Sequence, residues 1–293
     1  MLILASGGVP LANGHTLLGV APSYPAYVAT VHYAADFIAA AGITDATQQQ
    51  ALRQLETTLL AAGLLDPYDR TLSRLHVWYP VVGGTSAQHA LNFVDPGKFA
   101  LNFVGSPVHS QAGGIAWNGV NQHADTGFTP FDELGENPPA GLSLHYYSLD
   151  NTPQGDVYEI GTYGTYQMLI AVQSGAFNGA PFARAYSNTP NLIGTGADGR
   201  GLFSVNRTIT NTGIDGIATL YKNGVQLVTD HSGGYLPTTS IYLGGLNIND
   251  SYVYGYSNRR CAGAGISVCL TATQTRALYA AVQQFNTTLN RAV

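Results

Sequence analysis

The chain reads as mainly β, a sandwich of two antiparallel sheets flanked by helical segments, and three observations predict this. Between residues 75 and 266 the apolar residues fall in many short runs at regular spacing, the pattern of a sandwich or jelly roll. Lys222-Asn-Gly-Val225 sets Asn-Gly between two alternating runs, a strong short-range hairpin signal. Only 10% of the 293 residues are charged, against roughly 25% in an average globular protein. With 35 glycines and 18 tyrosines, the surface must be covered by small polar and aromatic side chains, as in secreted or particle-bound β proteins.

In chain order, residues 1–35 show no clean period, and Pro10, Pro22 and Pro25 argue against a helix. Their apolar content is too high for a solvated tail, which predicts an arm that docks on a neighbouring subunit. Residues 36–70 form a helical lead-in. A short helix runs from Asp36 to Gly42, Thr44 caps a second one, Leu52, Leu55 and Leu59 line its apolar face, and Gly63 stops it. Residues 71–293 form the sandwich. Its first strand runs from Leu75 to Val82 and ends at Gly83-Gly84. Further strands are predicted at 99–104, 114–117, 142–147, 157–161, 167–172, 182–186, 201–207, 217–222, 225–229 and 241–246. A helix over 271–291 closes the chain. Thr271 and Gln274 form a capping box, and Leu278, Ala281, Val282, Phe285 and Leu289 recur on one face. No internal repeat and no low-complexity linker divides the chain.

The net charge of −5 provides no basic field for nucleic acid. No apolar run reaches the roughly 18 residues of a membrane span. The opening Met1-Leu-Ile-Leu-Ala-Ser-Gly-Gly lacks the basic and long apolar regions of a secretory signal. An exported composition without an export signal fits a protein assembled inside a cell and released within a particle. Cys261 and Cys269 cannot bridge along one extended strand, because disulfide Cα atoms lie within about 7 Å. A bend at Gly263 and Gly265 would bring them together; otherwise both are buried thiols.

Several segments carry a family resemblance in order. They are Phe37-Ile-Ala-Ala-Ala-Gly-Ile-Thr-Asp, Trp78-Tyr-Pro-Val-Val-Gly-Gly-Thr85, Asn118-Gly-Val-Asn-Gln-His-Ala-Asp-Thr-Gly-Phe128, Leu220-Tyr-Lys-Asn-Gly-Val-Gln-Leu227, and Tyr256-Ser-Asn-Arg-Arg-Cys-Ala with the final helix. Over about residues 36–291 the chain resembles a concanavalin A-like lectin/glucanase jelly roll of the laminin-G/pentraxin type. The resemblance is to the module found in bacteriophage particle proteins and bacterial surface proteins. It implies two stacked antiparallel sheets with a concave face, and a role as a glycan binder or structural appendage. It also implies a calcium ion at the sandwich edge, for which Asn121 and Asp125 offer oxygen ligands. The alternative for Asp125 is capping of the turn at Thr126-Gly127.

Glycoside hydrolases of this fold need two carboxylates about 5–5.5 Å apart on one face of a strand. In Asp156-Val-Tyr-Glu159 the two stand three apart and point oppositely, so Glu159 is expected as a lone groove or rim carboxylate. No Gly-x-Ser-x-Gly elbow is present, and the eight histidines never fall at His-x-x-x-His spacing. Alternation sends Tyr252, Tyr254 and Tyr256 to one face, where they can stack on sugars or equally pack as strand residues. Arg259 and Arg260 point oppositely, and one is expected to pair with a buried carboxylate or a loop carbonyl. The function predicted is a non-enzymatic structural or adhesion protein on the surface of a bacteriophage virion, as capsid decoration or tail appendage. It would be an oligomer held to other virion subunits through residues 1–35, without a required cofactor. Host-surface glycan would bind at Tyr252, Tyr254, Tyr256, Tyr146 and Glu159. The alternative is a secreted, extracellular bacterial carbohydrate-binding module; a glycoside hydrolase lacks its carboxylate pair.

Overall fold

The structure, a computed structural model, describes residues 30–135, 141–152, 155–186, 192–209 and 215–293. The predicted arm lies outside the described residues as far as residue 29. Two helices, α1 (Tyr33–Ala41) and α2 (Ala46–Ala61), precede the strands. There follow β1 (Leu75–Tyr79), α3 (Ser86–His89), β2 (Asn102–Val104), β3 (Val108–Ser110), β4 (Gly114–Ala116), β5 (His123–Asp125) and α4 (Pro130–Leu134). Next come β6 (Leu142–Ser148), β7 (Ile160–Tyr163), β8 (Gln167–Ala171), β9 (Phe182–Ala185), β10 (Leu192–Ile193) and β11 (Gly201–Ile209). The chain continues through β12 (Asp215–Lys222), β13 (Val225–Gly233), β14 (Tyr242–Leu243), β15 (Leu246–Ile248), β16 (Tyr252–Tyr254) and β17 (Arg260–Val268) to α5 (Ala272–Thr288).

These strands form the expected sandwich. The first sheet has the order β13-β12-β11-β6-β17-β4-β3, with β1 also on β17. The second has the order β10-β9-β8-β7-β14-β5-β2, with β15 on β7 and β16 on β15. Among the described residues, all ladders are antiparallel except β15 with β7. The Asn-Gly turn joins β12 to β13 as predicted, with Lys222 opposite Val225. Period-two alternation sends Leu144, Tyr146, Phe203, Val205 and Ile266 of the first sheet inward to meet Met168, Ile170, Ala183 and Leu243 of the second.

The outer face of the first sheet carries a second apolar layer. Leu52 and Leu55 of α2 and Leu278, Val282 and Phe285 of α5 are buried in one cluster with Trp78, Tyr147 and Leu202 of the sheet. Each such side chain taken out of water contributes about 1.5–3 kcal/mol. The capping box of α5 forms: Gln274 N–H donates to Thr271 Oγ1 at 3.2 Å, and Thr271 N–H to Gln274 Oε1 at 3.1 Å. Beyond the helix, buried Arg291 donates to the carbonyls of Val81 (2.7 Å) and Pro80 (2.8 Å) and pegs the C-terminus to the first sheet. In the same layer His145 bridges strands, its ring nitrogens 2.8 Å and 2.9 Å from the hydroxyls of Ser204 and Ser267.

The remaining differences from the predicted elements are local. Asp45 caps α2 in place of Thr44, its Oδ1 accepting from Gln48 N–H at 2.8 Å; a carboxylate there also meets the positive end of the helix dipole. The predicted 241–246 strand breaks in two at Gly244, whose φ of +76° turns the chain. A side chain there would meet the Trp117 ring, with a Cβ 2.7 Å from Cδ2. Cys261 and Cys269 are free thiols, both buried, so the chain does not bend back to join them.

Candidate functional site

The break at Gly244 shapes one edge of the second sheet. It redirects β15 alongside β7, where Asn247 lies opposite Thr162, and β16 folds back on β15 as an outer hairpin. The turn between β15 and β16 is held rigidly. Asn247 Nδ2 donates to the Ser240 carbonyl (2.7 Å) and to Asp250 Oδ1 (2.6 Å), while its Oδ1 accepts from Asp250 N–H at 3.0 Å. Asn249 and Asp250 have φ of +51° and +53°, a left-handed conformation that Asn and Asp tolerate better than other side-chain-bearing residues. Backbone strain of this kind persists where the surroundings over-determine it.

Between this turn and β5 lies a cleft of about 340 Å³. One wall is aromatic. His123 of β5 stacks on Tyr242 of β14 with centroids 5.1 Å apart and planes 16° apart, and Tyr256 is tilted 6.1 Å from His123. The other wall carries Asn247, Asp250, Ser251 and Tyr252, the last 61% exposed. Aromatic faces beside a carboxylate and hydroxyls suit a ligand with both C–H faces and hydroxyl groups, while fully buried Asn247 braces the turn from beneath. Burial pushes the Tyr242 phenol above its ordinary value, and the carboxylates of Asp125 and Asp250 push it further the same way. Burial lowers the His123 imidazole against the pull of Asp125, so the ring is neutral at neutral pH.

Of the residues predicted to bind glycan, the structure brings two into this cleft. Tyr252 and Tyr256 both line it, but not by strand alternation. β16 ends at Tyr254, and Gly255 turns the chain with φ +63°. A Cβ at Gly255 would lie 2.6 Å from the ring of Tyr158. Beyond this turn Tyr256 bridges to Tyr158 and its ring approaches His123. Tyr254, 49% exposed, stays outside the cleft and is tilted 6.0 Å from Tyr158.

Two other expectations are corrected. Tyr146 is fully buried between the sheets, because β6 is the central strand of a sheet covered on both faces. No sugar can reach it. Glu159 is neither a groove nor a rim carboxylate. It is fully buried with Arg259, whose Nε donates to Oε1 at 3.0 Å. Val172 N–H donates to Oε2 at 2.8 Å, and Arg259 Nη1 to Gln173 Oε1 at 2.9 Å. Burial raises the Glu159 carboxyl to about 7, with Arg259 pulling it back down. The adjacent arginines do diverge as expected: Arg259 meets this buried carboxylate, and Arg260 meets Asp150 at the surface at 2.6 Å.

Asn121 and Asp125, expected to offer ligands to calcium, are engaged in separate turns. Asn121 Oδ1 accepts from Asn118 Nδ2 at 2.8 Å. Asp125 Oδ1 accepts from Gly127 N–H at 2.8 Å and from the Ser240 hydroxyl. These bonds engage one oxygen of each side chain, and Asp125 takes the turn-capping role. Sequence reasoning missed His123, Tyr242, Asn247 and Asp250 as site residues. The polar turn Asn247-Ile-Asn-Asp250 before Tyr252 was a usable signal for part of the cleft; the approach of β5 and β14 to it left none.

No protein-family model matches the chain, and no curated protein matches it. Solved structures do. The chain is similar to Trypanosoma rangeli sialidase in complex with sialic acid at 13% identity and a TM-score of 0.50, covering 79% of this chain and 38% of that one. It is also similar to domain 4 of an extracellular arabinanase from Geobacillus stearothermophilus, in complex with arabinotriose (16% identity, TM-score 0.39, 70% of this chain and 98% of that one). A further likeness is to the receptor binding domain of botulinum neurotoxin type G (11%, TM-score 0.41, 71% and 51%). The chain thus spans less than two fifths of the sialidase. At this identity the likeness to the sialidase is one of fold, and the fold is a two-sheet β-sandwich with a C-terminal helix.

Proposed function

We propose that this protein is a non-enzymatic glycan-binding module, an adhesion or structural protein carried on a bacteriophage particle. One observation carries the binding role: the cleft lined by His123, Tyr242, Tyr252 and Tyr256 together with Asp250 and Ser251. The aromatic faces give a sugar ring a stacking surface, and the clamped turn presents hydrogen-bonding groups already in place, which lowers the ordering cost of binding. Absence of catalysis is supported by the state of three carboxylates in and near the edge cleft and the inter-sheet core. Glu159 is sealed against Arg259, and Asp125 and Asp250 already accept hydrogen bonds from their own turns. Placement on a particle rests on the low charge of the chain and its apolar N-terminal residues.

A glycan array probed with the purified chain tests the binding role. Hits should be lost in Tyr256→Ala and Tyr252→Ala while the melting temperature is held. Absence of any hit at millimolar glycan would remove the proposal. Mass spectrometry of purified particles, with stoichiometry against the major coat protein, tests the location. Recovery of the chain only as free protein would favour a secreted module.

A further inference from the structure

We infer that the edge cleft selects neutral sugars and rejects acidic ones. This rests on the glycan-binding role proposed above and names the ligand class of that same site. The charges facing the cleft are of one sign. Asp250 lines it, and Asp125 lies directly across the ladder from Tyr242. Both carboxylates act on the Tyr242 phenol, and Asp125 also acts on His123. Among the described residues that line the cleft, none is Lys or Arg. A ligand carboxylate, sulfate or phosphate seated on the His123–Tyr242 wall would therefore meet two like charges and no counter-ion. That is discrimination by repulsion rather than by a lost contact.

The low charge of the chain does not explain this by itself. A separate cleft beside Phe99 and Phe128 is lined by both Arg70 and Lys98, as well as by Asp95 and Glu133. The edge cleft is anionic by placement. Its negative side is also fixed, because Asn247 holds the Asp250 carboxylate at 2.6 Å. The turn cannot swing the charge away without breaking the two hydrogen bonds that join Asn247 to Asp250.

The test uses the whole chain and matched glycan pairs. Galactose-, glucose- and mannose-terminated oligosaccharides are each presented with and without a sialic acid, uronic acid or sulfate cap. At pH 7 and low salt the neutral member of a bound pair should bind at least about tenfold more tightly than its acidic partner, about 1.4 kcal/mol. The ratio should shrink in 0.5 M NaCl, where the screening length falls to about 4 Å. Asp250→Asn should likewise move the ratio towards one, with its melting temperature confirming the fold; the salt series on the unmodified protein serves if that variant does not fold. Acidic members bound as well as or better than neutral ones would overturn this inference and leave glycan binding standing. Binding of neither member of any pair would overturn both.

Discussion

The outer face of the first sheet is covered by a helix layer; that of the second carries only a small apolar cluster of Leu169, Ala171, Phe182, Leu246 and Ile248 and opens to solvent at β16. β6 and β17 are buried along almost their whole length, between the inter-sheet core and the layer of α2 and α5. On β6, Tyr146 faces inward and Tyr147 faces the helices, where its phenol donates to Gln283 Oε1 at 2.7 Å. On β16, at the margin of the second sheet, Tyr252 and Tyr254 stand in solvent. The same residue type is core in one sheet and surface in the other. Alternation along a strand decides which face a side chain takes; the layer above that face decides whether it is buried.

The largest test of this contrast lies between the sheets. Arg259→Ala should cost about 3–5 kcal/mol in urea unfolding, because it leaves the Glu159 carboxylate buried without its partner. A loss under about 1 kcal/mol would mean that the carboxyl is held protonated and that the pair contributes little. Leu278→Ala, on the covered face of the first sheet, should cost about 2–5 kcal/mol through lost burial and the cavity left behind.

Acid should act through the buried histidines. Burial pushes His145 and His89 down to about 3 from 6.5, so the unfolded chain binds protons that the native state refuses. Their contribution is fully present above pH 6.5 and is lost as pH falls towards 3, at about 1.4 kcal/mol per pH unit for each histidine. Glu159, raised to about 7, acts oppositely: its ionisation weakens the fold as pH rises from 4.5 to 7. Unfolding measured across pH should therefore show net loss below pH 6.5. His145→Gln should flatten that slope, and an unchanged slope would remove His145 from the account.

Smaller effects follow at the edges. Thr271→Ala should cost about 1 kcal/mol by removing half of the α5 capping box. Tyr252→Ala should change stability by less than about 0.5 kcal/mol while weakening glycan binding, the reverse of what a core tyrosine does. A large stability loss there would show that β16 is structural.

Much of the fold was legible because its signals are local. The capping box, the Asn-Gly turn and the apolar face of α5 each depend on residues within a few positions of one another. The divergence of Arg259 and Arg260 was legible for the same reason. The site was legible only in part. Tyr252 and Tyr256 line the edge cleft, but alternation does not run through Gly255, and Tyr254 stays outside it. His123 and Tyr242 are 119 positions apart and meet only because β5 pairs with β14.

Sequence alone determined the architecture: mainly β, helices at both ends, a hairpin at Asn223-Gly224, and a surface poor in charge. Periodicity and turn chemistry act over a few residues, and those residues are written side by side. The tertiary structure decided which tyrosines are buried, that Glu159 is locked to Arg259 across 100 positions, and that an anionic aromatic cleft forms where β5, β14 and the β15–β16 hairpin converge. Those outcomes depend on which layers cover which faces and which strands become neighbours, and contacts of long sequence separation leave no mark in any local window.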